Sequence, residues 1–419
     1  MTFRSHLMPT VNPLGHSTQW PDIRHNELYI GGLPLSRLAA QMSQTPFYAY
    51  DRPLIAQRIA ELRRLLPAGI QLHYALKANP MPALVNFIAP LVDGFDVASH
   101  QEMLVAINGG KAASEISFAG PGKTRREIEA AVAAGIIINA ESFAQIDQAA
   151  RAGVELGIAP RIAVRLNPEF ELKSSGMRMT GGAKPFGIDT EQFPELIEKM
   201  RGLDLEPEGL HLYTGSQNLN PAAICEAQQA VVNLVCELIK RFTLRLRFIN
   251  IGGGFGIPYF PGESPLDLTS VADQLYRLQK QTQQASPKTA LVLELGRYLV
   301  GEAGIYVCKV LERKRSRGTV YLITDGGLHH HLANSGNFGQ VLRKNYPILI
   351  GNRAEGEEKE QVTVVGPLCT PLDILAEKVI LPKAQPGDWV VIRQSGAYGL
   401  TASPQQFLGH PPATEVLIG

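Results

Sequence analysis

Cysteine and net charge are both scarce in this sequence. Only four cysteines occur among 419 residues, at positions 225, 236, 308 and 369, and no two of them form a CxxC pair. This scattered set argues against a disulfide scaffold and is typical of a reducing compartment, so we predict a cytoplasmic protein. The 40 lysines and arginines nearly balance the 39 aspartates and glutamates, which leaves a formal net charge of +1. That charge favours neither nucleic acid nor an anionic membrane as a partner.

Long apolar runs are also missing from the sequence. No stretch approaches the roughly 20 apolar residues that span a bilayer. The N-terminus, MTFRSHLMPTVNPLGHS, lacks the continuous apolar centre of a secretory signal. We therefore predict no membrane partner. Hydrophobic residues make up 45% of the chain and charged residues 19%, which is typical of a globular protein with a large core.

What the sequence does contain is a regular alternation of strand and helix patterns. We expect a loose arm over residues 1 to about 25 and a strand over 45–51. An amphipathic helix pattern, IAQRIAELRRLL, then precedes eight strand patterns that are separated by seven helix patterns. The strand patterns are QLHYALKA, GFDVAS, ISFAGPG, IIINAES, RIAVRLNP, GLHLYTGS, RFINIGGG and TALVLELGR. Eight such units predict a closed (β/α)₈ barrel, although the pattern alone also permits a doubly wound open sheet.

A second, mostly β domain is predicted after the barrel, because the pattern changes near residue 300. The segments GIYVCKVLERK, TVYLITD, VTVVGPLC, WVVIRQSG and TEVLIG are typical of strands, with few helices between them. We predict an N-terminal arm over 1–45, a barrel over 46–298 and a β domain over 299–419. If the strand over 45–51 joins the β domain, the barrel is inserted into that domain.

Polar or unusual residues stand at the carboxyl ends of seven of the eight predicted strands, where (β/α)₈ barrels carry their catalytic residues. They are Lys77; Asp96 and Ser99; Asn139 and Glu141; Arg165 and Asn167; His211 and Tyr213; Gly252, Gly253 and Gly254; and Glu294 and Arg297. One such residue would be ordinary. Seven strands directed at one rim predict a single active site.

Each of these features has an ordinary interpretation when it is taken alone. Lys77 in HYALKANP is either a surface lysine or a Schiff-base lysine, whose ammonium loses its proton readily in an apolar pocket. The glycines of GGGFG (252–256) suit either a tight turn or a phosphate-binding loop. The pattern GxxxxGK[ST] is missing, which argues against a nucleoside triphosphate. The ELGR segment that holds Glu294 and Arg297 is equally suited to an ion pair across a turn.

Taken in order, HYALKANP, FDVAS, GSQ, INIGGGFG, ELGR, GPLC and GAYG make the chain resemble the fold-type III decarboxylases that depend on pyridoxal 5′-phosphate (PLP). This family includes diaminopimelate, ornithine and arginine decarboxylases, and the resemblance runs from about residue 45 to the end. It implies an alanine racemase-like fold, in which a TIM-type barrel is joined to a β domain. It also implies a homodimer with shared active sites and PLP as the cofactor.

The resemblance also implies roles for individual residues. Lys77 would carry the cofactor, Glu294 would face its pyridine nitrogen, and Cys369 of GPLC would enter the other subunit's site to protonate the product carbanion. The phosphate would be held by Gly252, Gly253, Gly254, Arg297, Ser216 and Tyr398. The cofactor site is predicted to be completed by Asp96, Arg165, His211 and Tyr213.

Three departures from the family pattern bear on the substrate. Tyr213 stands where most members have a histidine that stacks on the cofactor ring. Thr370 stands where diaminopimelate and ornithine decarboxylases have an acidic residue for the distal ammonium, and no arginine follows DGGLHHH until Arg343. The segments HHHLANSGNFGQ and GAYGLTASPQQFLGHP resemble a smaller branch, which includes the butirosin-pathway glutamyl-carrier-protein decarboxylase and exosortase-associated relatives. This likeness predicts an aminoacyl substrate on an acyl-carrier protein, and a free amino acid such as diaminopimelate is the alternative.

Three other functions compete with decarboxylation on this fold. An amino-acid racemase is disfavoured, because the related alanine racemases have arginine in the place of Glu294. A non-catalytic PLP-binding protein would lack the C-terminal β domain. A pseudo-enzyme would not be expected to retain Lys77, Glu294 and Cys369. For His329–His331 we predict no metal, because consecutive residues of an extended chain point to alternate sides and make a poor ligand set.

Overall fold

The structure, a computed structural model, describes residues 21–169, 177–178, 182–260, 262–336, 338 and 343–419. The arm predicted over residues 1 to about 25 lies outside this part of the chain, except for its end. The chain then forms a small antiparallel sheet and a helix that the sequence analysis missed: β1 (Asp22–Arg24), β2 (Glu27–Ile30), β3 (Leu33–Pro34) and α1 (Leu35–Met42). Strands of two to four residues are too short to show an alternating pattern.

The barrel consists of eight parallel strands that close on themselves. The strands from here to the end of the barrel are β4 (Phe47–Asp51), β5 (Gln71–Ala75), β6 (Gly94–Val97), β7 (Ile116–Phe118), β8 (Ile137–Ala140), β9 (Ile162–Asn167), β10 (Met177–Arg178), β11 (Ile188–Asp189), β12 (Gly209–His211), β13 (Gly215–Ser216), β14 (Phe248–Gly253) and β15 (Ala290–Leu295). The barrel order is β5-β6-β7-β8-β9-β12-β14-β15, and β15 pairs again with β5. This closure confirms the predicted (β/α)₈ barrel and rules out the open sheet.

The barrel helices follow the predicted helix patterns. They are α2 (Arg52–Leu65), α3 (Pro82–Ile88), α4 (His100–Asn108), α5 (Arg125–Ala134), α6 (Phe143–Leu156), α7 (Phe193–Gly202), α8 (Pro221–Phe242) and α9 (Leu268–Ala285), with the short α10 (Arg297–Val300) after β15. Local sequence fixes their ends. At α5, the Thr124 side chain accepts from the Glu127 backbone N–H and Glu127 reaches back to the Thr124 N–H, which together form a capping box.

The prediction that no apolar run approaches the length of a membrane span is wrong for one barrel helix. The 22 residues of α8 are long and apolar enough for that by length and composition, but 56% of its most apolar window is buried inside the fold. Its buried positions include Val231, Val235 and Ile239, which recur at helical spacing. This pattern is that of a helix packed on the outside of the barrel.

The second domain is built mainly from antiparallel strands. These are β16 (Gly304–Ser316), β17 (Thr319–Thr324), β18 (Ile348–Ile350), β19 (Lys359–Val365), β20 (Ile374–Pro382), β21 (Trp389–Ile392) and β22 (Thr414–Ile418). The earlier strand β4 belongs to this sheet, because it pairs antiparallel with β16 and parallel with β22. The chain therefore starts the second sheet, builds the whole barrel, and returns to complete the sheet.

Candidate active site

The carboxyl ends of the barrel strands bring buried polar side chains together. Glu294, Asp96 and Arg165 each expose only 6% of their surface, and His211 exposes 2%. Charged side chains are rarely buried to this degree unless they have partners. A narrow cleft at this rim is lined by part of the predicted set, namely Lys77, Tyr213, Ser216, Gly254, Glu294, Arg297 and Tyr398.

Lys77 and Glu294 face each other across neighbouring strands. Lys77 lies two residues beyond β5, on a single 3₁₀ turn (Leu76–Ala78), and its Nζ is 3.8 Å from Glu294 Oε1. The other carboxylate oxygen, Oε2, is 3.1 Å from His211 Nε2 and accepts from Asn250 Nδ2 at 3.4 Å. Both oxygens of Glu294 are therefore directed at polar groups of the site.

The charges of the pair shift both pKa values. Burial alone would raise the pKa of Glu294, but contact with His211 and the charges of Lys77 and Arg165 outweigh it and hold that pKa well below its usual range. Burial alone would lower the pKa of Lys77, but Glu294 and two tyrosines outweigh it and raise that pKa. The protein by itself therefore holds an ammonium beside a carboxylate at neutral pH.

The glycine loop at residues 252–254 packs closely against the backbone of neighbouring segments. Gly252 and Gly254 have φ angles of +69° and +71°, in the left-handed region that favours glycine. A Cβ on Gly253 would overlap the carbonyl oxygen of Glu294. Ser216 Oγ is buried and has no hydrogen-bond partner within the described part of the chain. A buried hydroxyl of this kind needs a partner, and a phosphate in the cleft that Ser216 and Gly254 line would provide one.

Arg297 lies at the other side of the cleft, between two tyrosines. Its Nη1 donates to Tyr259 Oη at 2.7 Å, and its guanidinium lies 4.6 Å from the centre of the Tyr398 ring. Burial alone would lower the pKa of Arg297, but the neighbouring tyrosines outweigh it and raise that pKa. Tyr398 has a φ of +54°, and its N–H donates to the Ala78 carbonyl oxygen, next to Lys77. The second domain thus supplies one wall of the site.

Two other predicted residues lie in the barrel wall and do not line the cleft. Arg165 Nη1 donates to Glu141 Oε1 at 3.1 Å. Asp96 Oδ2 is 3.3 Å from His73 Nδ1, but neither carboxylate oxygen makes a hydrogen bond with a described residue. We therefore retain their cofactor contacts only as predictions.

Tyr213 fills the position where the family pattern has histidine. Its ring centre lies 5.1 Å from Lys77 Nζ. Burial raises the pKa of Tyr213 to about 12, although the Lys77 charge opposes this. The phenol therefore stays neutral throughout the physiological pH range, and the ring can contribute stacking but no titration.

We expect the Tyr213→Phe variant to retain kcat within about threefold, because the flat ring is kept and the lost hydroxyl does not titrate. The pH dependence of kcat between pH 6 and 9 should be unchanged. The comparison variant Tyr213→Ala removes the whole ring and should therefore bind the cofactor more weakly. A changed pH profile in Tyr213→Phe would show that the hydroxyl transfers a proton.

Cys369 does not line the cleft of its own chain. It is exposed, and all four cysteines are free. The backbone N–H of Leu368, immediately before it, donates to Asp373 Oδ2 at 2.8 Å, and Asp373 Oδ1 accepts from the Leu328 N–H at 2.6 Å. Asp373, whose role the sequence did not reveal, therefore fastens the loop that presents Cys369.

His329 and His330 lie in a turn, with His331 directly after it, and not in the extended chain that was predicted; all three are buried. His331 Nε2 lies 2.9 Å from Ser395 Oγ, and His330 Nε2 lies 2.8 Å from the Pro411 carbonyl oxygen. Burial lowers the pKa of His331 to about 3, so it is neutral at physiological pH. Within the described ranges no group of three or more His, Cys, Asp or Glu residues could hold a metal ion.

Sequence reasoning missed three residues that touch the predicted set: Asn250, Tyr259 and His73. Asn250 alternates with buried Ile249 and Ile251 on β14, so its polarity inside a buried strand was an available signal. Tyr259 lies in a loop after the glycines, and no sequence pattern indicates its contact with Arg297.

The arrangement fits PLP. Lys77 would offer an amine to the aldehyde, Glu294 a carboxylate to the ring nitrogen, and Arg297 with Ser216 and the glycine loop an anion-binding group for the phosphate. The Ser216 hydroxyl without a partner among the described residues, and the cleft that Ser216 lines together with Gly254 and Arg297, are the two observations that call for such a ligand.

Comparisons with known proteins also indicate a PLP-binding site. A family model described as the pyridoxal-binding domain of pyridoxal-dependent decarboxylases matches residues 52–301. The chain is 38% identical over 380 residues to the L-glutamyl-[BtrI acyl-carrier protein] decarboxylase of Niallia circulans, covering 89% of each chain. It is 32% identical over 400 residues to the diaminopimelate decarboxylase of Aquifex aeolicus, covering 95% of this chain and 92% of that one. The solved structure of the M. jannaschii diaminopimelate decarboxylase with L-lysine is similar, with a TM-score of 0.85, 26% identity, and coverage of 94% and 92%.

Proposed function

Because the chain belongs to the pyridoxal-dependent decarboxylases, we propose that it decarboxylates a glutamyl group carried as a thioester on an acyl-carrier protein. PLP-dependent decarboxylation itself follows from the family and from both relatives. The relatives are decarboxylases, which leaves no support for the racemase or for the non-catalytic alternatives. The carrier-bound substrate rests on the Niallia circulans relative, whose name specifies it.

The chemistry of such a substrate fixes which of its groups is tethered. The cofactor needs a free α-amine, and the departing CO₂ needs a free α-carboxylate. The thioester must therefore involve the side-chain carboxyl, so the distal end of the substrate is neutral. A free diamino acid would present a distal ammonium instead.

The observation that carries the proposal is the residue after Cys369. Thr370 has no charge, and its neighbours up to Asp373 are Pro371 and Leu372. Both Asp373 oxygens already accept backbone N–H groups, one from Leu368 of the same loop and one from Leu328 of another segment, so this carboxylate is occupied. A loop without a counter-charge suits a neutral thioester and would leave a distal ammonium without a partner.

In this mechanism PLP supplies the electron sink for the electron pair that CO₂ leaves behind. Glu294 stays ionised and would hold a proton at the ring nitrogen. Lys77 Nζ would anchor the cofactor. Arg297, Ser216 and the glycine loop would hold the phosphate, and Tyr213 would stack on the ring. The positions of the side chains and the family motifs support these roles.

We propose that Cys369 completes the site of a second subunit. Its side chain is exposed and does not line its own cleft, while the GPLC motif implies a proton donor at the reacting carbon. A homodimer with shared sites satisfies both conditions. The four free cysteines are also consistent with a cytoplasmic location.

Mixing two inactive variants tests the shared site. Lys77→Ala and Cys369→Ala should each be inactive alone, yet random exchange of subunits should restore about a quarter of wild-type activity, because half of the dimers then hold one intact site. Lys77→Ala mixed with a Lys77→Ala/Cys369→Ala double variant is the control and should stay inactive. No recovery, with subunit exchange shown by mass-tagged chains, would place Cys369 in its own subunit's site or outside catalysis.

The function is tested by CO₂ release from PLP-loaded protein. The substrates would be the γ-glutamyl thioester of pantetheine, free glutamate, meso-diaminopimelate, lysine, ornithine and arginine. We expect the thioester to be turned over at least about tenfold faster than any free amino acid, since only its distal end is neutral. Faster release from diaminopimelate would support the free-substrate alternative, to which the Aquifex aeolicus relative points.

A further inference from the structure

A groove of 940 Å³ lies next to the proposed cofactor site, and none of the residues that line it has been assigned to that site. It is formed where the loop after the glycines meets the segment before β18, the middle of β20 and the end of β21. The groove thus lies between barrel and second domain, on the side of Arg297.

An aromatic wall connects this groove to Arg297. Tyr259 accepts from Arg297 Nη1 at 2.7 Å and packs on Tyr346, with 4.5 Å between ring centres. Phe260 lies 6.2 Å from Tyr346, and Lys344 Nζ lies 4.9 Å from the Phe260 ring centre. The three rings line the groove, and through Tyr259 they connect Arg297 to it.

The charged side chains that line the groove are mostly cationic. Among its described lining residues four are cationic, Arg343, Lys344, Lys378 and Arg393, and one is acidic, Glu377. Glu377 forms ion pairs with Lys378, whose Nζ is 3.9 Å away, and with Arg343, whose Nη1 is 4.0 Å away, so a single carboxylate is shared by two of the cations. The balance of four cations against one anion contrasts with the chain as a whole, whose net charge is +1.

Lys378 is also held in an unusual backbone conformation. It has a φ of +49° in the middle of β20, and 75% of its side chain is exposed. Non-glycine residues adopt this region rarely and at a cost, and such strain tends to accompany function. Here the distortion sets a lysine at the groove.

From these observations, and resting on the proposed function, we propose that the groove binds the phosphopantetheine arm of the carrier protein. The arm consists of an uncharged pantetheine chain, which suits the aromatic wall, and a phosphodiester, which suits the cations. We assign the phosphodiester to Lys344 and Lys378 and the pantetheine chain to Tyr259 and Tyr346. A carrier-bound substrate needs a path of this kind, because its distal end is joined to a protein that stays outside.

The test compares two probes that differ only in the phosphate. They are γ-glutamyl thioesters of pantetheine and of 4′-phosphopantetheine, and fluorescently labelled forms of both arms provide a binding measurement by anisotropy. The variant is Lys344→Glu/Lys378→Glu. The matched control is Lys240→Glu/Lys288→Glu, two exposed lysines near the amino ends of β14 and β15, at the opposite end of the barrel.

We expect wild-type PLP-loaded protein to bind the phosphorylated arm at least about tenfold more tightly, because the phosphate gains charge-assisted contacts. The KM values of the two thioesters should differ by the same factor. Added salt should reduce this difference, because it screens the attraction between the phosphate and the lysines. The groove variant should lose this preference and keep its kcat, while the control variant keeps both.

Failure of the groove assignment and failure of the proposed function would give different results. Equal binding of the two arms by the wild type, or an unchanged preference in the groove variant, overturns the groove assignment even if CO₂ is released from the thioesters. A phosphate preference with no CO₂ from either thioester, and release from a free amino acid, overturns the proposed function and with it the carrier arm as the occupant.

Discussion

Replacing Lys77 with alanine is expected to abolish decarboxylation, with kcat falling about 10⁴-fold or more, as for other deleted covalent catalysts. The reason is geometric: Lys77 is the lysine in the cleft, with its Nζ 3.8 Å from Glu294 and its ring contact to Tyr213. Without its amine the cofactor has no covalent anchor in the site. The visible absorbance of the lysine-bound cofactor should also be lost, which single-turnover CO₂ assays and spectra of PLP-loaded protein would show.

Lys77→Arg is the matched control for charge. It keeps the cation beside Glu294 but removes the nucleophilic amine, so it should be as inactive as Lys77→Ala while retaining a thermal midpoint near that of wild type. The side chain is 39% exposed, so folding should depend little on it. Substantial activity in Lys77→Arg would mean that the lysine acts only through its charge and that another group anchors the cofactor.

The Glu294→Gln substitution should produce the second large loss. We expect kcat to fall about 10- to 1,000-fold, because a carboxylate beside a cation shifts the equilibrium by about 1–3 pKa units, at about 1.4 kcal/mol per unit. Glutamine preserves the shape and the contact with Asn250 but carries no charge. The proton at the ring nitrogen would then be held weakly and the electron sink would be poorer.

The same substitution should change how Lys77 behaves before the cofactor binds. Glu294 raises the pKa of Lys77, so removing the carboxylate lowers that pKa and increases the neutral amine at neutral pH. PLP should therefore attach faster to Glu294→Gln apoprotein at pH 7, even though the loaded enzyme is slower. Stopped-flow absorbance would measure the attachment rate, and a purely structural role for Glu294 would not accelerate it.

Glu415→Gln is the control for loss of a partly buried carboxylate. Glu415 lies on β22, accepts from Tyr50 Oη at 2.6 Å and touches none of the proposed site residues. Burial raises its pKa, so its charge matters less in the fold. Decarboxylation should be unchanged in this variant. If both substitutions slowed the reaction equally, the effect of Glu294→Gln would be one of folding and not of cofactor electronics.

The barrel could be predicted from the sequence because its signals are local. Each strand is a short apolar run, and each helix carries its own period and caps, as at Thr124 and Glu127. The rule that catalytic residues lie at strand ends then placed Lys77, His211 and Glu294 on one rim, and the structure brings Lys77 and His211 each into contact with Glu294.

The second domain was harder to predict for two physical reasons. β18 has three residues, which is too short to show a pattern. β20 was missed because the left-handed turn at Lys378 interrupts its alternation, and the register with β19 shifts nearby. The sequence analysis also treated His329–His331 as extended chain, although turn geometry there depends on contacts with Ser395 and Pro411, which are distant in sequence.

The sequence by itself determined the fold class and the cofactor, and it predicted the central residues of the site, since these depend on local periodicity and on motifs of a few neighbouring residues. Only the tertiary structure decided what surrounds them. The contacts of Arg297 with Tyr259 and Tyr398, the fastening of the Cys369 loop by Asp373, and the groove with its excess of cations join segments far apart in the chain. Side chains separated by loops and whole domains leave no periodic trace in the sequence, because their distance is set by packing and not by spacing along the backbone.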